Sequence, residues 1–250
     1  MSAFPVRKRA RKALPDLLLP EELSRILREE CGIECARQSD LPDQLNLSDS
    51  ISLTDVSTLG NVKTLNLCSC SSVVDVSALG GVEVLILNAC RYIVDVSALG
   101  TVQQLFLRCC PRITDVSALG NVKTLDLTCC AGIRDVSALG SVQMLNLTYC
   151  KRVTDVSALG GVKNLILAHC DRIRDVSALG NVKTLDLSGC SKVTDVSALG
   201  AVKRLTLSYC AGVADVGALG MVKNAQSRRM PRRKRCERPW CRGGTHSFWM

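Results

Sequence analysis

Two residue types recur at a spacing that invites a chemical reading. Cys70, Cys90, Cys110, Cys130, Cys150, Cys170, Cys190 and Cys210 stand twenty residues apart, and nine aspartates from Asp55 to Asp215 keep the same interval. Cysteines in such number could suggest a secreted disulfide scaffold. Equivalent, parallel positions offer no scheme for pairing, so the column is expected to be a buried ladder of reduced thiols acting as small hydrophobes with a weak S–H donor. The aspartates resemble a metal or charge ladder. The column lacks the additional oxygen ligands calcium requires, and each carboxylate has amides two or three residues ahead to accept from. Capping is therefore expected, and no metal.

The remaining candidates for chemistry are sparse. His169 and His246 are the chain's two histidines and sit in unrelated settings. Cys236, Cys241 and His246 have an unusual C-x-x-x-x-C spacing for zinc and lack a fourth ligand. The sequence has no Walker loop, no G-x-S-x-G and no H-E-x-x-H. The expectation is a protein that is not an enzyme and needs no cofactor.

The elements that must carry these residues follow from a repeat. Asn121–Gly140 reads NVKTLDLTCCAGIRDVSALG and Asn181–Gly200 reads NVKTLDLSGCSKVTDVSALG. The period is 20 from Asn61 to Gly220, giving eight full units, preceded by a degenerate unit, Leu41–Gly60, with Ser50 in place of cysteine. Met221 to Asn224 begin another unit, which stops at Ala225, where leucine is required. Leu65 and Leu67 alternate with strand period, so one short strand per unit presents both leucines to one face. A unit cannot bury that face alone, and stacking in parallel does it. Val76 and Leu79 are three apart, so a helical turn puts both on the core side. Asp75 is placed to cap that turn, and Gly80 is expected to supply a left-handed exit from it.

Bulk composition agrees with a core assembled from many small layers: hydrophobic residues are 47% and aromatics 3%. The net charge of +9 is concentrated at the ends: +5 over residues 1–13, −4 over 14–40, zero over 41–220 and +8 over 221–250. Basic character therefore argues for anionic partners only through the tails. No apolar run is long enough to span a bilayer. Leu17-Leu18-Leu19 is too short for a signal-peptide core, so cytosol or nucleus is the expected compartment.

The segment V-x-x-L-x-L-x-x-C-x-x-[IV]-x-D-V-S-A-L-G resembles the leucine-rich repeat family. The C-x-x-[IV]-T-D element, as in Cys110–Asp115, Cys150–Asp155 and Cys190–Asp195, is similar to the cysteine-containing repeats found beside F-box domains in ubiquitin-ligase adaptors. The D-V-S-A-L-G element is similar to the turn of bacterial internalins. The resemblance covers about residues 41–224. It implies an α/β repeat solenoid, with short parallel strands on one face and short helical or 3-10 turns on the other. It says little of function, because the fold serves many partners.

Four segments follow: a basic, disordered N-terminus (1–13), a helical cap (14–40), a solenoid of about nine units (41–224) and a basic, disordered tail (225–250). In the cap, Pro20 suits a first helical turn, Glu21 and Glu22 suit the positive end of the dipole, and Leu23, Ile26 and Leu27 share a face. The same stretch, L-P-x-E-L-x-x-I-L, resembles the opening of an F-box, which would make it a degenerate F-box binding a Skp1-like protein. In the tail, Arg232-Arg233-Lys234-Arg235 suits nuclear import or phosphate contact.

Binding is expected on the strand face, where residue type varies while the turn stays constant. The candidate partner-binding residues are Val84, Ile86, Gln104, Phe106, Arg108, Asp126, Met144, Asn146, Tyr149, Ile166, His169, Asp186 and Tyr209. Among them Val84, Ile86, Gln104, Phe106 and Arg108 have the make-up of a hot spot, an apolar centre beside an arginine with a polar rim. Three functions follow: a protein-interaction scaffold, a substrate adaptor of an SCF-type ubiquitin ligase, and a nuclear or nucleic-acid-associated protein acting through its tails. Neither a membrane partner nor nucleic acid beyond the tails is expected.

Overall fold

The computed structural model describes residues 18–219 and, as backbone, 225–226. Ten parallel strands form one sheet in sequence order: β1 (Gln44–Asn46), β2 (Thr64–Asn66), β3 (Val84–Ile86), β4 (Gln104–Phe106), β5 (Thr124–Asp126), β6 (Met144–Asn146), β7 (Asn164–Ile166), β8 (Thr184–Asp186), β9 (Arg204–Thr206) and β10 (Ala225–Gln226). The register advances by one repeat at every step, Leu45 facing Leu65 and Leu65 facing Leu85. The ladder runs one rung beyond the leucine pattern: Ala225 faces Leu205 and Gln226 faces Thr206. Main-chain pairing needs no leucine, so the sheet enters what the sequence assigns to the tail. The rest of the tail, with Arg232–Arg235, Cys236, Cys241 and His246, lies outside the described residues, as does the basic N-terminus.

Each leucine of the strand is buried, and each residue between leucines faces outward. The core is a set of columns rather than a centre. Val62, Leu65, Leu67, Cys70, Val73, Val76 and Leu79 are buried together, and their equivalents repeat along the array. On the opposite side of each coil lies a 3-10 turn, Ser77–Gly81 at the end of the first full unit and Ser117–Asn121 two repeats on. Asp75 Oδ1 accepts from the Ser77 amide at 2.8 Å, and the same bond recurs from Asp55 to Asp215 at 2.7–2.9 Å. The carboxylates accept from the amide two residues on, as expected, but from one position before the N-cap, which is Val76. The amide and hydroxyl of Ser77 hold the Asp75 carboxyl below the usual carboxylate range.

One expectation is overturned. Gly80 does not provide a left-handed exit, for it lies within the 3-10 turn and is not among the positive-φ residues. A Cβ on Gly80 would lie 2.5 Å from the Ala98 carbonyl oxygen, so glycine is required by the close approach of successive turns. The left-handed residue sits elsewhere, just before the cysteine column: Ser69, Ala89, Cys109, Cys129, Tyr149, His169 and Tyr209 have φ of 58–64° and Gly189 has 75°. That conformation turns the chain out of the strand and brings the next side chain inward.

The N-terminal end is closed by α1 (Glu21–Cys31), whose Leu23, Ile26 and Leu27 are buried against the first coil. Gly32, at φ 66°, ends the helix. Polar ties seal the junction: Thr54 Oγ1 donates to Glu22, Ser50 Oγ to Glu30, and the Cys31 thiol to the Asn46 carbonyl.

Candidate functional site

The cysteine column shows what its spacing accomplishes. Each thiol donates to the carbonyl of the second strand leucine one repeat earlier, Cys70 to Leu47 and so on to Cys210 with Leu187, at 2.9–3.1 Å. That carbonyl also closes a turn with the amide three residues on, as Leu67 does with Cys70 at 3.2 Å. The thiol supplies its second bond, across the repeat boundary. Burial pushes the thiols up, Cys70 to about 11 and Cys90, Cys130 and Cys170 to about 12. None of these cysteines is disulfide-bonded, and burial disfavours the thiolate on which reactivity depends.

The outward-facing column at the last residue of each strand aligns Ile86, Phe106, Asp126, Asn146, Ile166 and Asp186 on consecutive rungs. Val84 faces Gln104, and Met144 occupies the same register two rungs on. The structure separates these candidates into two kinds. Asp126 Oδ1 accepts from the Thr128 amide at 2.9 Å and from its hydroxyl at 2.5 Å. Asn146 does the same with Thr148, and Asp186 with Ser188. These three side chains fasten the end of their own strands. Ile86, Phe106 and Ile166 make no such bond to their own strand. On the Phe106 rung the amide of Arg108 is met instead by Asn88 from the rung before, at 3.0 Å.

Ile86 and Phe106 are therefore adjacent, half-buried apolar side chains, with Val84 and Gln104 beside them. Arg108 stands at the edge of this group, exposed, its Nε 3.8 Å from Asp126 Oδ2. At that exposure and distance the pair orients the guanidinium more than it stabilises the fold. Ile166 is isolated between Asn146 and Asp186.

Tyr149, His169 and Tyr209 belong to a different line, the left-handed column at the strand exits. Tyr149 and His169 stack with ring centroids 4.6 Å apart and planes 4° from parallel. Gly189 leaves the space the imidazole fills: a Cβ there would lie 2.3 Å from His169 Nδ1. The sequence missed the fastening role of Asp126, Asn146 and Asp186, for which the signal was a Thr or Ser two residues on. It also missed the stack, which depends on left-handed backbone that Tyr and His do not advertise. Among the described residues no group of three or more His, Cys, Asp or Glu could hold a metal ion, and no helix is long and apolar enough to cross a membrane.

No protein-family model matches the sequence. No curated protein matches it either. Solved structures do match in shape. Internalin C2 from Listeria monocytogenes is 21% identical with a TM-score of 0.52, over 86% of this chain and 94% of that one. The leucine-rich repeat domain of the type III effector XopL is 17% identical with a TM-score of 0.52, over 75% of this chain and 76% of that one. At such identity the likeness is one of fold: the chain is a leucine-rich repeat solenoid, an open parallel sheet backed by regularly spaced 3-10 turns.

Proposed function

We propose that the protein is an interaction scaffold that captures a protein partner on its strand face, centred on Ile86 and Phe106. The observation that carries this reading is the pair of adjacent rungs, β3 and β4, whose last, outward-facing side chains, Ile86 and Phe106, are apolar and held by no strand-end bond, beside an arginine oriented at the rim. Aromatic and arginine side chains grouped in this way supply most of the energy of protein–protein contacts. The neighbouring rungs carry Asp126 and Asn146, already committed to their own strands, so the apolar group has a defined edge.

The adaptor reading rests on the resemblance of the N-terminal segment to an F-box and of the C-x-x-[IV]-T-D element to F-box-associated repeats. Its Skp1-like partner would need the apolar face of α1. Leu23, Ile26 and Leu27 spend that face on the first coil, which favours the cap. The nucleic-acid reading rests on tails outside the described residues and predicts binding that falls steeply with salt. A column of reduced thiols suits a reducing compartment, cytosol or nucleus.

The test is affinity capture followed by mass spectrometry, with the intact chain and two variants as bait. Phe106→Ala and Arg108→Glu should leave the circular-dichroism spectrum and melting transition unchanged and reduce capture of the leading partner about tenfold or more, the loss expected of a hot-spot side chain. Capture equal to the parent in both variants rejects the β3–β4 patch. Capture that instead vanishes on removal of residues 225–250 assigns the partner to the tail.

A further inference from the structure

Two of the half-buried cysteines stand outside the structural column. Cys109 and Cys129 occupy the same register position on adjacent coils, at the left-handed strand exits after β4 and β5. The fold does not ask for cysteine there. Along that line the residues are Asp49, Ser69, Ala89, Cys109, Cys129, Tyr149, His169, Gly189 and Tyr209, which share a backbone conformation and no side-chain property.

The backbone holds the two cysteines side by side. The Cys109 amide donates to the Thr128 carbonyl at 2.8 Å, immediately before Cys129, and the Cys129 amide repeats the bond with Thr148. Parallel rungs lie ~4.8 Å apart, inside the ~4.4–6.8 Å range over which Cα atoms accept a disulfide. Cys109, as a hydrogen-bonding neighbour, is the main influence that holds the Cys129 thiol below its ordinary value, with a smaller contribution from the Arg108 charge, against burial and the neighbouring Cys150 and Cys130.

Every other described cysteine lacks one of these features. The eight of the column have their thiols committed to carbonyls, and burial pushes them up. The Cys31 and Cys35 thiols each donate to a backbone oxygen and are pushed up as well. Cys68 has Asn88 at its register position on the next rung.

We propose that Cys109 and Cys129 form a dithiol site for hydroperoxides, closing to a disulfide between adjacent coils at the edge of the strand face. The Cys129 thiolate attacks one peroxide oxygen. The S–O bond forms as the O–O bond breaks, and the departing hydroxide takes up the proton Cys129 released, leaving as water. The Cys109 sulfur then attacks the Cys129 sulfenic acid. The S–S bond forms as the S–O bond breaks, and the second oxygen leaves as water with the proton from Cys109. Two thiols are oxidised by two electrons in all, and one hydrogen peroxide is reduced to two waters.

The intact, reduced chain is exposed to graded hydrogen peroxide, quenched in acid, alkylated under denaturing conditions, digested with trypsin and analysed by mass spectrometry. The expected product is a disulfide linking the peptides Cys109–Arg112 and Thr124–Arg134 within one chain, with Cys110 and Cys130 alkylated. It should form at least ~10-fold faster than Cys68 is oxidised, the advantage of thiolate character with a resolving partner. Cys109→Ser should abolish the link and let a dimedone adduct accumulate on Cys129. Cys129→Ser should abolish the link without such an adduct on Cys109. Both substitutions fall at a position that tolerates serine at Ser69, so folding is preserved, as circular dichroism will check. A link that survives in Cys129→Ser, a link between two chains, or a pair still reduced when Cys68 is oxidised would each overturn the proposal.

Discussion

At the scale of single residues, one sulfur atom per coil does a polar and an apolar task together. Cys130 fills a buried site and gives its proton to the Leu107 carbonyl at 2.9 Å. Serine could donate the same bond but would fill the site less well, and it is found at Ser50, where the neighbour below is the Glu30 carboxylate of the cap rather than another repeat. The buried thiols also make stability depend on pH in the alkaline range. Folded, Cys90, Cys130 and Cys170 keep their protons to about pH 12, whereas an unperturbed thiol loses its proton near 9.0. Above that value the unfolded chain binds fewer protons than the folded one, so rising pH draws the protein toward unfolding. The full contribution is present below about pH 8, and it is lost progressively from about 9 upward. The urea midpoint should be level from about pH 6 to 8 and fall progressively above about 9. Cys130→Ala should start lower, by about 1–2 kcal/mol for the lost packing and bond, and fall less steeply. Equal slopes for parent and variant would show that the column is not the cause. That the cysteines face inward is what the resemblance to leucine-rich repeats implies, and the structure buries them. Their acceptor, a carbonyl 23 residues back, is not legible in the sequence, because it depends on the offset between coils.

At the scale of the element, the 3-10 turn sets how closely coils stack. Val76 and Leu79 point inward and Asp75 accepts from the first amide of the turn, all readable from a six-residue motif. The reason for its glycine is not readable there, since the crowding comes from the next repeat. A Cβ on Gly120 would stand 2.4 Å from the Ala138 carbonyl oxygen, and the same conflict recurs at Gly60, Gly100, Gly140, Gly160 and Gly180. Backbone cannot swing aside as a side chain can, so Gly120→Ala should cost about 1–3 kcal/mol by forcing two coils apart. Gly189→Ala makes the contrast. Its φ of 75° is left-handed, but residues with side chains hold that conformation at the equivalent positions, and the obstacle is the His169 ring. The expected cost there is about 1–2 kcal/mol, the strain of a side chain in the left-handed region plus the displacement of a ring that can rotate away. Chemical denaturation of the two variants against the parent measures both. A Gly189 variant less stable than the Gly120 variant would reverse the assignment. The left-handed corner itself is not legible in the sequence for a related reason: Gly189 is one occupant, but the others include Ala, Cys, Tyr and His, so no recurring glycine or asparagine marks it.

At the scale of the whole molecule, the array is close to one-dimensional, each coil touching only its neighbours, and stability is a sum of coils and interfaces. Such an array is limited by its ends. The sequence discloses the N-terminal seal through the shared face of Leu23, Ile26 and Leu27, and the structure adds the ties from Glu22, Glu30 and Cys31. At the far end Val216 is 52% exposed where its equivalents along the core are 2%. Introducing a charge beneath the cap, as in Leu27→Asp, should open the first coils without dissolving the middle. Hydrogen exchange followed by mass spectrometry should then show faster exchange in peptides covering β1 and β2, while those covering β5 to β7 keep the protection of the parent. Deleting residues 121–140 removes one whole coil and joins Gly120 to Ser141 in register, so every remaining interface has an equivalent in the parent. That variant should keep its spectrum per residue and a single cooperative transition, at somewhat reduced stability. If Leu27→Asp instead raises exchange equally in all strands, the coils are held by one global core and not by neighbour contacts, and the deletion should then fail to fold.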